Sequence, residues 1–266
     1  MTARDRVRGL LAGAVAGLAG GLFGVGGGLM LVPLLTGFFG LSQHRAHGTS
    51  LAVIGATALA ALTVYGAHAN VLWNVAVIVA LGSIVGAPLG ARATDHLSSS
   101  GLRRAFAIFL VLVAVRLLWQ APSGGLGGLT GIASVALYLV VGVLAGFLAG
   151  FMGVGGGIVV VPILTLLLGT TQQQAQGTSL AVILVTAPVG AYAHSRRGNV
   201  AWPLVPMLAV GAALGAPLAA WGAQLIPHAW LVRTFAVFLL VSAIHMWRRK
   251  SPKAKPASTA PAGSGA

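Results

Sequence analysis

Acidic residues are nearly absent: two carboxylates, Asp5 and Asp95, stand in 266 residues. That shortage argues against hydrolysis by paired carboxylates and against a metalloenzyme. Cysteine is missing altogether, which removes disulfides, thiolate metal sites, iron–sulfur ligation and thiol nucleophiles, and leaves the redox compartment unread. Charge of either sign is scarce, at 7% of residues against about a quarter in soluble domains. What fills the chain instead is apolar: 57% of residues are hydrophobic and the mean hydropathy is +0.94. This is the composition of an all-α polytopic membrane protein, with the lipid bilayer as its surroundings. The formal net charge of +14 comes from missing carboxylates. The basic residues fall in short groups between apolar runs and form no clustered basic face, so nucleic acid is excluded as a partner.

The chain is written twice. Sliding it against itself finds one offset, 129 residues, that aligns the halves without a gap. The segment Gly24-Val25-Gly26-Gly27-Gly28 pairs with Gly153–Gly157, Pro33 with Pro162, Gly48–Val53 (GTSLAV) with Gly177–Val182, Asn70 with Asn199, Trp73 with Trp202, and Gly86-Ala87-Pro88-Leu89 with Gly215–Leu218. Residues 1–120 read as the first transmembrane repeat, 121–131 as a Gly-rich linker, 132–249 as the second repeat and 250–266 as a disordered tail rich in Pro, Ser and Ala. Arg4, Arg6 and Arg8 before a small-residue stretch imitate a secretory signal. That stretch runs unbroken into the repeated GVGGG, so it reads as an uncleaved first membrane segment.

Apolar runs near 9–24, 28–40, 47–66, 71–91 and 102–119 recur near 138–153, 157–169, 176–194, 200–220 and 231–247. A helix needs about 20 residues to cross the hydrocarbon, so the last three runs of each half are full spans. The first two form a broken or re-entrant pair: the glycines of GVGGG interrupt the helix, and 28–40 rises only about 18 Å. Lys and Arg concentrate in cytoplasmic loops, and this separates two topologies. If 9–40 is a single broken crossing, Arg45, Arg92, Arg103, Arg104 and Arg233 fall outside. If it enters and returns as a hairpin, only Arg116 and Arg233 do. The hairpin inverts the second repeat relative to the first, and it places both termini in the cytoplasm of a cell-membrane protein.

Inverted-repeat transporters bind substrate near the midplane, at broken helices whose backbone lines a cavity. The tips Gly24, Gly26, Gly27, Gly28 and Gly153, Gly155, Gly156, Gly157 each precede a short helix whose first amides are unpaired and carry partial positive charge. Two of them make a site for a small anion without a buried arginine; the alternative is that glycines only let helices pack closely. Thr49, Ser50, Thr178 and Ser179 open the next span of each half, either as hydroxyl donors to the anion or as helix N-caps. Pro33 and Pro162 mark helix breaks, Pro88 and Pro217 kinks, and Asn70 and Asn199 turns or caps. His44 and His47 have a metal-ligand spacing, but Gln173 and Gln176 stand at the equivalent positions, so they read as loop residues. Neither a metal nor another cofactor is called for. GVGGG lacks the following Lys-Ser/Thr and βαβ context of a nucleotide loop. No coupling ion is legible, since Asp95 sits in an arginine-bearing loop.

The doubled G-x-G-G-G followed by Val-Pro (Val32-Pro33, Val161-Pro162), the doubled GTSLAV and the doubled Gly-Ala-Pro resemble the TauE/SafE, or sulfite exporter, family over about residues 9–248. The resemblance implies a secondary permease for small sulfur-containing anions such as sulfite, sulfoacetate or other organosulfonates, and no enzyme. Carrier action by alternating access and an anion channel both remain open at this level, as does a small carboxylate as cargo. The oligomeric state is not legible.

Overall fold

The computed structural model describes residues 3–94, 99–119 and 131–248. Asp95, His96, the linker to residue 130 and the tail 250–266 lie outside them. Ten α-helices and one 3-10 turn make up the described chain, with no strand among the described residues. They are α1 (Ala3–Phe23), α2 (Gly28–Gly37), α3 (Gln43–Ala67), α4 (Trp73–Ala93), α5 (Ser99–Trp119), α6 (Ile132–Met152), α7 (Gly157–Leu168), α8 (Gln172–Ser195), α9 (Val205–Leu225, preceded by the turn Trp202–Leu204) and α10 (His228–Arg248). Seven described helices are long and apolar enough to cross a membrane: α1, α3, α4, α6, α8, α9 and α10. α5 has the length, 21 residues, but carries Arg103, Arg104 and Arg116 and is not among them.

α1 and α6 are longer than their apolar runs suggest, at 21 residues each. α1 extends through Arg4–Arg8 because arginine is a good helix former and this turn is largely exposed. The first pair of each half is therefore one long helix and one short one. Pro33 and Pro162 lie inside α2 and α7, so they do not break the helices. The break falls one turn earlier, at glycines.

Small residues spaced by four decide which helices touch. Gly13, Gly17 and Gly21 set α1 against the backbone of Leu208, Ala212 and Ala216 in α9, while Gly142, Gly146 and Gly150 set α6 against Val79, Ser83 and Ala87 in α4. Both pairs run parallel, and every residue named maps onto its counterpart through the 129-residue shift. With no side chain between them, the backbones reach the close approach that drives helix association in lipid. α3 and α8 cross antiparallel, with Gly48 beside His194, Gly55 beside Ala187 and Gly177 beside Tyr65. Arg104 near the start of α5 stacks on Trp247 near the end of α10 at 5.9 Å, so that pair is antiparallel too.

Following these directions, face I collects the starts of α1, α3, α5 and α9 and the ends of α4, α6, α8 and α10. Face II collects the opposite ends. Short helix α2 turns back along α1: Gly27 rests on the carbonyl of Ala16, and Leu31, Val32 and Leu35 share one apolar cluster with Ala16, Ala46, Val53, Leu208 and Ala212. In the α1–α9 register Phe23 is level with Leu218, and α9 continues to Leu225. The first tip therefore stops roughly 10 Å short of the far end of α9.

Candidate substrate site

The two glycine tips meet at the crossing of α3 and α8. A Cβ on Gly28 would stand 2.7 Å from the Cα of Val154, and one on Gly157 would stand 2.8 Å from the carbonyl oxygen of Gly24. Ile54 of α3 and Ile183 of α8, equivalent positions and both fully buried, close over the meeting point against Gly26 and Gly155. The tip residues Gly24, Gly26, Gly27, Gly153, Gly155 and Gly156 all have φ between 67° and 90°, a region that costs an L-residue about 1–2 kcal/mol. Gly27 and Gly156 act as N-caps of α2 and α7, and neither helix start receives a side-chain cap bond. Two positively polarised helix starts thus converge on one buried point.

The hydroxyls divide into different jobs. Thr49 and Thr178 lie inside α3 and α8; the N-caps are Ser42 and Thr171, the latter in a capping box with Gln174. Thr49 Oγ1 donates to the Arg45 carbonyl at 2.6 Å and accepts from the Ala201 amide at 2.9 Å. Thr178 accepts from the Leu72 amide at 2.9 Å. Each threonine therefore pins the entry of a neighbouring span, α9 or α4, to the central crossing. Ser179 donates to the carbonyl of Gly24 at 2.8 Å and so holds the first tip from the opposite half. Its counterpart Ser50 is fully buried, and its hydroxyl has no partner among the described residues. Asn70 sits in the turn before α4, bonding Gln224 Oε1 at 2.6 Å.

One face of the crossing is chemically unlike the other. Toward face II, buried Tyr65 donates its single hydroxyl proton where Gly21 O lies at 3.0 Å and Gln176 Oε1 at 2.9 Å. At the equivalent place toward face I, His194 Nε2 lies 2.8 Å from Gly150 O, and His47 stands where Gln176 stands. Removing the tyrosine hydroxyl strands buried acceptors at about 1–3 kcal/mol. Tyr65→Phe is therefore expected to lower the thermal midpoint by roughly 2–10 °C, measured by scanning fluorimetry of the purified protein.

The faces also differ in openness. Pro33, Gln43 and His47 are half-buried, whereas their equivalents Pro162, Gln172 and Gln176 are buried. On the closed side the Gln172 amide donates to His228 Nδ1 at 3.1 Å and Gln173 Nε2 donates to Ile226 O at 3.1 Å, while Phe23 stacks on Phe238 at 4.4 Å between centroids. On the open side a cavity of about 80 Å³ is bordered by Leu29 and Pro33 of α2, Gln43 and His47 of α3, Val154 of the second tip and His245 of α10. It touches the first turn of α2 and has room for several waters or one small oxyanion. Reading His47 as a loop residue missed this. His47 lies a turn inside α3, on the line His47, Ser50, Ile54 that runs from the cavity to the crossing. The i, i+3, i+7 spacing was the available signal. Among the described residues no cluster of metal ligands occurs.

The family model described as sulfite exporter TauE/SafE matches residues 2–117 and 138–266. The chain belongs to this family. It is 29% identical over 231 residues to the probable membrane transporter protein YunE of Bacillus subtilis (strain 168), covering 78% of this chain and 85% of that one. It is 29% identical over 262 residues to a probable membrane transporter protein of Haemophilus influenzae, covering 90% and 96%, and 28% over 255 residues to one of Xylella fastidiosa (strain 9a5c), covering 93% and 97%. No solved structure matches it significantly. The protein is a multi-pass membrane transporter of the TauE/SafE family.

Proposed function

We propose that this transporter is a secondary permease for a small anion, a sulfur-containing oxyanion or organosulfonate such as sulfite or sulfoacetate, working by alternating access around the two glycine tips. The observation that carries this reading is the convergence of the α2 and α7 starts at one buried point. An anion placed there meets two partial positive charges and no carboxylate from any described helix. The family description adds the sulfur chemistry. Ile54 and Ile183 plug the meeting point, which favours a carrier over a continuous pore. A cavity toward face I opposite buried Gln172 and Gln176 toward face II is what one state of an alternating carrier would have.

The two halves form an inverted repeat in this reading, supported by the antiparallel crossing of the equivalent helices α3 and α8. Face I carries Arg4, Arg6, Arg8, Arg45, Arg92, Arg104, Arg196, Arg197 and Arg248, and face II only Arg116 and Arg233 among the described arginines. The positive-inside rule makes face I cytoplasmic, with both chain ends there.

The test is a thermal-shift screen of purified protein against sulfite, sulfate, sulfoacetate, methanesulfonate, short carboxylates and chloride. A ligand bound only by the folded state raises apparent stability by mass action. Selective stabilisation by sulfur oxyanions, followed by saturable uptake of the stabilising anion into proteoliposomes, is expected. An equal response to all anions, or unit conductance in planar bilayers, would overturn the permease reading.

A further inference from the structure

The cavity beneath face I contains chemistry that the two tips do not. Its polar lining comes from Gln43, His47 and His245, and the rest is apolar: Leu29, Val32, Pro33, Phe151, Met152, Val154 and Met246. Titratable and charged groups near His47 can be taken element by element among the described residues. α8 contributes His194, with Arg196 and Arg197 just beyond its end, and α10 contributes His245 and Arg248, while its own helix carries His44 and Arg45. α2, α7, α9 and the second tip contribute none, α6 has only Tyr138, and α1 has Arg4, Asp5, Arg6 and Arg8 in its first turns. His47 and His194 bracket the last turn of α6: His194 Nε2 lies against Gly150 O, and a Cβ on Gly153 would stand 2.8 Å from the Cβ of His47. One turn deeper on the His47 face of α3, the fully buried Ser50 hydroxyl has no partner among the described residues. A buried hydroxyl without a bond costs about 1–3 kcal/mol, a cost that a ligand passing it would relieve.

Resting on the permease reading above, we propose that this cavity is an oxyanion subsite in which protonated His47 supplies the countercharge, so that the anion enters from face I together with one proton. Imidazole is the side chain whose ordinary titration falls nearest neutral pH. The first turn of α2, at Leu29, gives the anion a partial positive charge from the other wall. Ser50 is the next donor on the way to the tips. The proton comes from water, sits on the imidazole while the anion is bound, and no bond to the anion forms. At the equivalents of Gln43, His47 and His194 on face II stand Gln172, Gln176 and Tyr65, and at that of His245 stands Arg116; the imidazole on that face, His228, already accepts the Gln172 backbone N–H at Nδ1.

The probes are sulfate and methanesulfonate, which stay fully ionised between pH 5.5 and 8.5, so that any pH dependence belongs to the protein. Isothermal titration of the wild-type protein in two buffers of different ionisation enthalpy is expected to show net proton uptake with anion binding on the alkaline side of this range. Affinity should fall up to tenfold per pH unit on the alkaline side. His47→Gln, which installs the residue found at position 176, should still melt cooperatively as a folded protein, bind the probes at least tenfold more weakly at pH 6, and lose the pH slope. Binding without proton uptake by the wild type, or an unchanged slope in His47→Gln, overturns this inference and leaves the permease reading standing. No binding of either probe at any pH overturns this inference, and the sulfite and sulfoacetate arms of the thermal-shift screen then decide the permease reading.

Discussion

Gly26→Ala is expected to cut transport at least tenfold while leaving insertion and fold in place. At this position φ is +72° and a Cβ would find its nearest neighbours, Ile54 and Ile183, at 3.4 Å. One methyl therefore fits with a small adjustment, and the left-handed backbone costs about 1–2 kcal/mol. That corresponds to a drop in thermal midpoint of roughly 2–8 °C. The methyl nevertheless enters the point where both tips meet and where an anion would approach the α2 amides most closely. Uptake into proteoliposomes, read beside the thermal midpoint, separates the two effects. Wild-type uptake by Gly26→Ala would show that the tips do not line the path. Gly27→Ala makes the contrast, because its Cβ would fall into the carbonyl of Ala16 and the backbone there cannot yield. That variant should be lost at the level of folded protein.

The second large effect is expected at the helix seams, far from any substrate. Gly90→Val should abolish folded protein, or lower the midpoint by 6 °C or more, because the new Cβ falls into the carbonyl oxygen of Phe147 with the Phe147 carbonyl carbon and the Phe151 amide also under 3 Å away. Overpacking costs about 1–3 kcal/mol where side chains can give way, and here the obstacle is backbone. Gly222→Ala is the matched control: it is also a helical glycine, but nothing lies within 4 Å of its Cβ, so the midpoint should stay the same or rise slightly. Size-exclusion profiles and thermal midpoints of the two variants decide the matter. A well-folded Gly90→Val would mean that the α4–α6 seam is looser than its geometry requires.

Much of this molecule is legible from one chain of letters, for physical reasons. A bilayer leaves unpaired backbone polar groups no water to bond, so apolar run length translates directly into helices. The helices fall within a few residues of the runs read from composition. The largest departures, α1 and α6, begin about six residues early: helix propensity carries α1 through Arg4–Arg8, and the residues that open α6, Ile132–Leu137, are themselves mostly apolar. The tips were readable because four glycines in five residues are a poor helix and because the pattern occurs twice. The roles of the neighbouring residues were not readable. Thr49 and Thr178 carry the same letters whether they cap a helix, meet an anion or, as here, receive an amide from a span more than a hundred residues away. Pro33 and Pro162 looked like breaks, yet each is accommodated within a short helix.

Sequence by itself determined the membrane class and the position of the breaks, since the first depends on overall composition and the second on a glycine pattern that occurs twice in the letters. Tertiary structure decided what only distance can decide. It brought the two tips together under Ile54 and Ile183 and paired α1 with α9 and α6 with α4 through glycine seams. It also set His47 beside a cavity open on one face while sealing Gln176 on the other. Those facts depend on residues that are remote along the chain, and no pattern within a single segment contains them.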